Sequence, residues 1–425
     1  MTQQPEIKPI QPEIKPIQPE QRMMELDVIR GFAILGILIV NMQFFSSAFQ
    51  YLSRVRMTLW TEEGDKLAKL LIDLLAAGKF YTMFSFLFGI GMMIFLERAR
   101  QKGRREVPLF LRRISILLAF GLIHAILIWV GDILFQYAVL AFFLVLFYRA
   151  KPWFVLLSAF FFLFLTPVLN FLNFYQKITI PIYQASGLGP KLFNPSMMLE
   201  EANQAYEFGT YGSQVLQRMA DFVFHYGVFW ALFPVVFAMF LFGVYAAKKR
   251  IFQNIQEHRK FIRWVWIGSI ATTLFSDFYT TYLAASISLQ NLHIFEQCIR
   301  ALYNPALCIF YVTSILQLMQ FDAVRAKLAP FAAVGRMAIS NYLLTSLICT
   351  TIFYSYGFGL FNKVGTAKGL LISLLIYPLL MVFSIIWLRH FRYGPVEWLW
   401  RSLTYGHWQN MRLSKRSTPE GGHSQ

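Results

Sequence analysis

The residues best placed to do chemistry in this sequence are a histidine and an aspartate eight positions apart. His124 lies in Gly121-Leu122-Ile123-His124-Ala125-Ile126-Leu127-Ile128-Trp129-Val130-Gly131-Asp132, and of the seven histidines it sits deepest in an apolar run. An imidazole there needs a hydrogen-bond partner, and Asp132 is the candidate. Such a pair suits a general base that works near neutral pH, because an unperturbed imidazole titrates at about 6.5. The same pair also suits a purely structural hydrogen bond, and the sequence leaves both readings open.

A second group occupies one helix face. Asp27, Arg30, Ile34, Leu38 and Asn41 fall at helical spacing, with Asp27 a plausible N-cap and Arg30 also readable as an interface anchor. Arg30 and Asn41 are about 16 Å apart along the axis at 1.5 Å per residue. Other polar residues interrupt apolar runs. Lys79 either snorkels outward or faces a polar cavity, and Asp221, His225, Asp277 and Arg300 are further outer-half candidates. Arg336 and Asn341 open a later run near the inner side. In a bilayer each such group is costly unless paired or wetted, so each is a functional candidate. Bland readings compete: a lone Asn is often an interhelical hydrogen-bond donor, and the stripe Gly78, Thr82, Ser85, Gly89 serves close helix packing.

The elements that must position these residues follow from composition. Hydrophobic residues make up 57% of the 425 and charged residues 14%, against about 25% charged in soluble domains. That excess exceeds one globular core and fits a bilayer, which a helix of roughly 20 apolar residues spans. Apolar runs fall at 28–49, 70–96, 109–130, 132–148, 153–173, 222–246, 261–286, 298–320, 334–354 and 369–388. The second is overlong and expected to tilt or break near Gly78. The third and fourth meet at a tight hairpin at Gly131–Asp132. The predicted fold is therefore an all-α polytopic membrane protein of about ten transmembrane helices. With both termini inside, the cytoplasmic segments hold 28 of the 39 Lys and Arg residues, as the positive-inside rule requires.

Three regions are expected. Residues 1–22, with PEIKPIQ twice in tandem, form a disordered Pro-rich cytoplasmic arm. Residues 23–392 form the transmembrane helical domain, with a polar external loop at 174–221. Residues 393–425 form a cytoplasmic interfacial helix and polar tail, because Trp398, Trp400 and Trp408 alternate with arginines. The net charge of +17 lies in short loops between apolar runs, which argues against a nucleic-acid partner. Cys298, Cys308 and Cys349 make no metal-binding pattern, so no metal is expected.

Leu26-Asp27-Val28-Ile29-Arg30-Gly31-Phe32-Ala33-Ile34-Leu35-Gly36-Ile37-Leu38-Ile39-Val40-Asn41 resembles the opening signature of the YeiB-like family, domain of unknown function 418. The blocks Gly78–Gly91, Gly121–Tyr137, Gly335–Tyr342 and Tyr393–Gly406 resemble the same family in order. Its Arg-Gly pattern is similar to that of transmembrane acyltransferases, including heparan-glucosaminide acetyltransferases and sugar O-acyltransferases. The resemblance implies a bacterial cytoplasmic membrane protein that takes an acyl group from cytoplasmic acyl-CoA and delivers it to an outer acceptor. Arg30 would then help hold the donor or the site's architecture, and Arg30 and Arg336 with the basic Arg98–Arg113 loop would hold its phosphates; the competing reading of that loop is topology alone. In the O-acyltransferases a histidine stands where this chain has Asn41. In the heparan enzymes Asn stands there and the histidine follows in the next loop. No histidine lies between Asn41 and His124 here, which leaves His124 as the substitute base.

The expected partners are membrane lipids and a small-molecule or glycan acceptor, with oligomeric state open. The rival functions are a transporter or exporter of a small amphipathic molecule, whose path the same polar residues would line, and a non-catalytic membrane scaffold.

Overall fold

The computed structural model describes residues 23–187, 194–283 and 293–413. The arm at 1–22 and the tail beyond 413 lie outside the described residues. Among these the regular structure is helical, and the one β contact is an isolated bridge between Phe391 and Arg412.

Helix α1 (Met24–Ser46) begins before Asp27, which lies in its first turn and is not the N-cap expected from the sequence, and is followed by the short α2 (Phe49–Leu52). The second apolar run is broken where expected. Helix α3 (Glu63–Leu75) stops, and α4 (Lys79–Gln101) restarts after Gly78, whose φ is +86°. That angle is in the left-handed region that glycine enters without strain, and a Cβ on Gly78 would fall 2.3 Å from Asn304 Nδ2. Helix α5 (Glu106–Ile123) widens into a π-helical turn, His124–Ile128, before the hairpin to α6 (Leu134–Leu144). Then come α7 (Pro152–Phe171), α8 (Phe174–Ala185), α9 (Pro195–Asn203) and the 38-residue α10 (Tyr211–Lys248). The chain continues through α11 (Arg259–Phe278), α12 (His293–Leu318), α13 (Asp322–Arg336), α14 (Ala338–Phe353), α15 (Thr366–His390) and α16 (Pro395–Tyr405).

Each of the ten predicted apolar runs coincides with one of these helices or, for the second, with the α3–α4 pair. By length and apolarity six helices qualify as membrane spans among the described residues, or seven if α13 and α14, bent by 77°, count as one. Leu134–Phe147 and Leu232–Lys248 are apolar but shorter. The segment at 174–221 is helical over most of its described part, in α8, α9 and the start of α10.

Packing rests on close backbone approach, because helices in lipid gain little from burying one apolar surface on another. Helix α1 crosses α13 at Gly31 and Gly335. A Cβ on Gly31 would fall 2.0 Å from Phe331 O, and one on Gly335 would fall 1.9 Å from Asp27 O. Helix α4 meets α10 in the same way: Gly89 faces the Phe240 carbonyl and Gly243 faces that of Phe86. The stripe Gly78, Thr82, Ser85, Gly89 thus serves packing, with Ser85 Oγ 2.8 Å from the Tyr137 hydroxyl. Helices α1, α13, α14 and α15 gather on one side, α4, α7 and α10 on the other, and the α5–α6 hairpin joins them.

Candidate functional site

The π-turn decides where His124 points its bonds. Widening the helix over His124–Ile128 brings the ring back to the hairpin, where Nδ1 lies 2.8 Å from Asp132 Oδ1. In the tautomer whose Nδ1 donates to Asp132, Nε2 carries the lone pair. The second Asp132 oxygen accepts the Phe135 amide at 2.6 Å, in the first turn of α6. Asp132 therefore anchors a helix start and orients the imidazole at once. Both residues are 1% exposed. Nε2 of His124 is buried and has no hydrogen-bond partner among the described residues. The Tyr342 ring lies 5.2 Å from the imidazole, and its hydroxyl donates to Gly131 O at 3.0 Å, fixing the hairpin from α14.

Beside the dyad is a cavity of about 120 Å³. Its wall includes Trp129, Val130 and Gly131, part of the segment that joins His124 to Asp132; His124 itself does not line it. Across the cavity are Asn41, Tyr51, Tyr206, Asp221 and His225. Asp221 accepts the hydroxyls of Tyr51 and Tyr206, each at 2.5 Å, and the Gln217 amide at 2.7 Å. Three elements, α2, the turn at 204–208 and α10, thus converge on one buried carboxylate. Burial and the adjacent Asp221 charge push the Tyr51 and Tyr206 hydroxyls well above the ordinary tyrosine range, so both stay protonated donors. Arg218, fully buried, donates to the Ile126 and Leu127 carbonyls at 2.8 and 3.1 Å, which the π-turn leaves without helical partners. The dyad's turn is held by Arg218 and the cavity's carboxylate follows it by three residues on α10, so the two features are mechanically linked.

The structure brings five of the candidate residues together here: His124 and Asp132 as a pair, and Asn41, Asp221 and His225 in the cavity wall. His225 Nε2 lies 3.0 Å from the Gln136 amide nitrogen, which donates to it. Asn41 also borders a small void toward α14 with Ile34, Leu38 and Tyr342, and its side chain makes no hydrogen bond to described residues. The other candidates are placed elsewhere. Asp27 and Arg30 pair with each other at 2.8 Å at the far end of α1. Lys79, 2% exposed, donates to the Asp73 carbonyl at 2.7 Å and lies over the Tyr303 ring, so it closes the end of α3. Asp277 is exposed at the end of α11. Asn341 bonds the Val334 carbonyl and Ser384 Oγ at the α13–α14 bend, beside Arg336. None of these six lines the cavity.

Tyr51, Tyr206, Gln136 and Arg218 did not stand out in the sequence. The one available signal was Arg218, a basic residue in a segment otherwise assigned to the outer side. Among the described residues no group of His, Cys, Asp and Glu is arranged to hold a metal ion.

Residues 246–407 match the family described as "Protein of unknown function (DUF418)". The chain is 38% identical over 417 residues to the uncharacterised protein YxaH of Bacillus subtilis, covering 92% of this chain and 96% of that protein. It is 30% identical over 400 residues to the uncharacterised protein YeiB of Escherichia coli, covering 90% and 96%. A protein from the amylase 3′ region of Bacillus acidopullulyticus is 27% identical over 408 residues. No solved structure matches the chain.

Proposed function

Because the chain belongs to the YeiB-like DUF418 family of multi-pass membrane proteins, we propose that it is a transmembrane acyltransferase of the bacterial cytoplasmic membrane. It would span the bilayer ten times with both termini inside, and pass an acyl group from cytoplasmic acyl-CoA to an outer acceptor. The observation that carries the reading is the unpartnered Nε2 of a histidine whose Nδ1 is fixed by a buried carboxylate. A buried polar atom without a partner costs about 1–3 kcal/mol, and a base that must receive a proton is one reason to keep it.

In the proposed step Nε2 takes the proton of an acceptor hydroxyl or amine. The acceptor's lone pair attacks the thioester carbonyl carbon, the C–S bond breaks, and the proton returns from Nε2 to the leaving thiolate. The products are an ester or amide and a free thiol. Asp132 steadies the transient imidazolium, and such general-base help is worth about 10²–10⁴ in rate. The acceptor would occupy the 120 Å³ cavity against His225, Asn41 and the tyrosine hydroxyls. Access to His124 then requires the Trp129–Gly131 segment to move, because the imidazole itself does not line the cavity.

Two measurements test the reading. Protein reconstituted into liposomes would receive radiolabelled acetyl-CoA on one side and cell-wall or membrane glycans on the other. Label in the glycan supports acyl transfer; uptake of a solute without transfer supports the transporter, and the absence of both acetyl-CoA binding and transfer overturns the enzyme. Reporter fusions after Gln425 and within 174–221 should report opposite sides of the membrane, and agreement between them would overturn the ten-span topology.

A further inference from the structure

Three arginine nitrogens at one end of the helix bundle are buried without a hydrogen-bond partner among the described residues: Nε of Arg104, Nη1 of Arg113 and Nε of Arg401. They come from three elements, the α4–α5 turn, the second turn of α5, and α16. A basic residue that serves only to orient a membrane protein keeps its head group in water or among lipid head groups. These are instead clamped. The Arg113 guanidinium lies 3.5 Å from the Trp400 ring centre and 4.9 Å from that of Phe95, and Trp400 Nε1 donates to the Arg113 carbonyl at 2.9 Å. Arg401 lies over Tyr393 at 4.6 Å and Tyr405 at 5.6 Å. Gly406, with φ +76°, lets the chain leave α16 close to Arg112: a Cβ there would come 3.2 Å from its Nη1.

Among the described residues no carboxylate forms a salt bridge with Arg104, Arg113 or Arg401. Glu397 accepts the Ile339 and Ser340 amides at 2.7 and 3.1 Å and the Ser340 hydroxyl, so its oxygens are committed to the start of α14. Glu106 pairs with Arg149, at 3.5 Å. Lys102, in the same turn, is pushed below the ordinary lysine value by partial burial and then by the charges of Arg401, Arg98 and Arg104. Guanidinium groups with unpaired N–H donors, two of them stacked on aromatic rings, match a ligand with several anionic oxygens, which arginine binds through its planar fork.

We propose that the α4–α5 turn, the start of α5 and α16 form a binding site for a phosphate-bearing ligand, held by Arg104, Arg113 and Arg401. The site stands apart from the His124 dyad and does not depend on its chemistry; under the acyltransferase reading it is where a nucleotide-linked donor would dock its phosphates. A free phosphate ester and a lipid head group share that chemistry.

The full-length protein in phosphatidylcholine nanodiscs would be titrated with inorganic pyrophosphate, following tryptophan fluorescence near Trp400. A parallel arm would measure retention of phosphatidylglycerol in mixed-lipid nanodiscs. Arg401→Gln and Arg104→Gln are compared with Arg56→Gln, which lies outside the cluster, and thermal unfolding checks each fold. Should Arg401→Gln fail to fold, Arg401→Lys keeps the charge but not the fork. Pyrophosphate binding weakened at least about tenfold by the cluster variants, and not by Arg56→Gln, supports a soluble phosphate ligand. Phosphatidylglycerol retention lost in the same variants, without pyrophosphate binding, supports a lipid head group. If neither signal depends on Arg104 or Arg401, the cluster only orients the chain and the proposal is overturned.

Discussion

Replacing Asp132 with Asn separates catalysis from folding more cleanly than any other change at the dyad. The substitution is nearly isosteric, so an amide oxygen still accepts the Phe135 amide now bound at 2.6 Å, while the amide NH2 faces His124 Nδ1. The imidazole must then present Nδ1 as acceptor, which moves its proton to Nε2, the atom proposed to act as base. Exchanging a charge-assisted hydrogen bond of about 1.5–3 kcal/mol for a neutral one of about 0.5–1.5 kcal/mol costs roughly 1 kcal/mol of stability. Loss of the correct tautomer and of imidazolium stabilisation costs a rate factor of about 10²–10⁴, or roughly 3–5 kcal/mol in the barrier. Removing His124 outright is a blunter test, since it strands a buried carboxylate and costs about 3–5 kcal/mol of stability by itself. The assay is acyl transfer from radiolabelled acetyl-CoA by detergent-purified protein, with thermal unfolding in parallel. Asp132→Asn should melt within a few degrees of wild type and lose at least 100-fold in transfer. A variant that keeps transfer within threefold would refute the assignment of Nε2 as the base.

Other changes probe the frame around the site. Gly335→Ala places a methyl 1.9 Å from the Asp27 carbonyl and should destabilise the α1–α13 crossing by about 1–3 kcal/mol, read as a lower melting temperature; an unchanged melt contradicts the contact. Tyr51→Phe removes one of three donors to buried Asp221 and should cost about 1–3 kcal/mol, whereas a cost below measurement would mean that water replaces the hydroxyl. Burial raises the Glu397 carboxyl above its ordinary value of 4.5, against the bonds it accepts. The folded state therefore holds this proton more tightly than the unfolded one, so the contribution is full below the ordinary value and is lost as pH rises through the folded value. Glu397→Gln should flatten that fall in melting temperature between acid and neutral pH, and an identical pH profile would count against it.

Much of the frame was readable in advance because it is written in local spacing. The ten apolar runs became helices, Gly78 broke the second run, and the Gly131–Asp132 hairpin placed His124 against Asp132. What was not readable depends on contacts between distant segments. Tyr51 and Asp221 are 170 residues apart in sequence, and nothing in the spacing of either announces the other. Lys79, Asp277 and Asn341 show the converse. Their polarity in apolar runs marked them correctly as needing a partner or an exit to solvent. For Lys79 and Asn341 the partner is a backbone carbonyl at a helix break. The π-turn was invisible because the residues of Ala125–Ile128 suit an ordinary helix equally well. It is the Arg218 guanidinium, arriving from α10, that satisfies the carbonyls such a turn exposes.

The most direct test of the central claim is the single-turnover rate of acyl transfer in His124→Gln, compared with His225→Gln and wild type in the same liposomes. His225 lines the cavity and is bonded to Gln136, so its loss should weaken acceptor binding and leave the rate at saturating acceptor nearly unchanged. His124→Gln should bind acceptor normally and fall at least 100-fold in rate. Equal rates in His124→Gln and wild type would contradict the account.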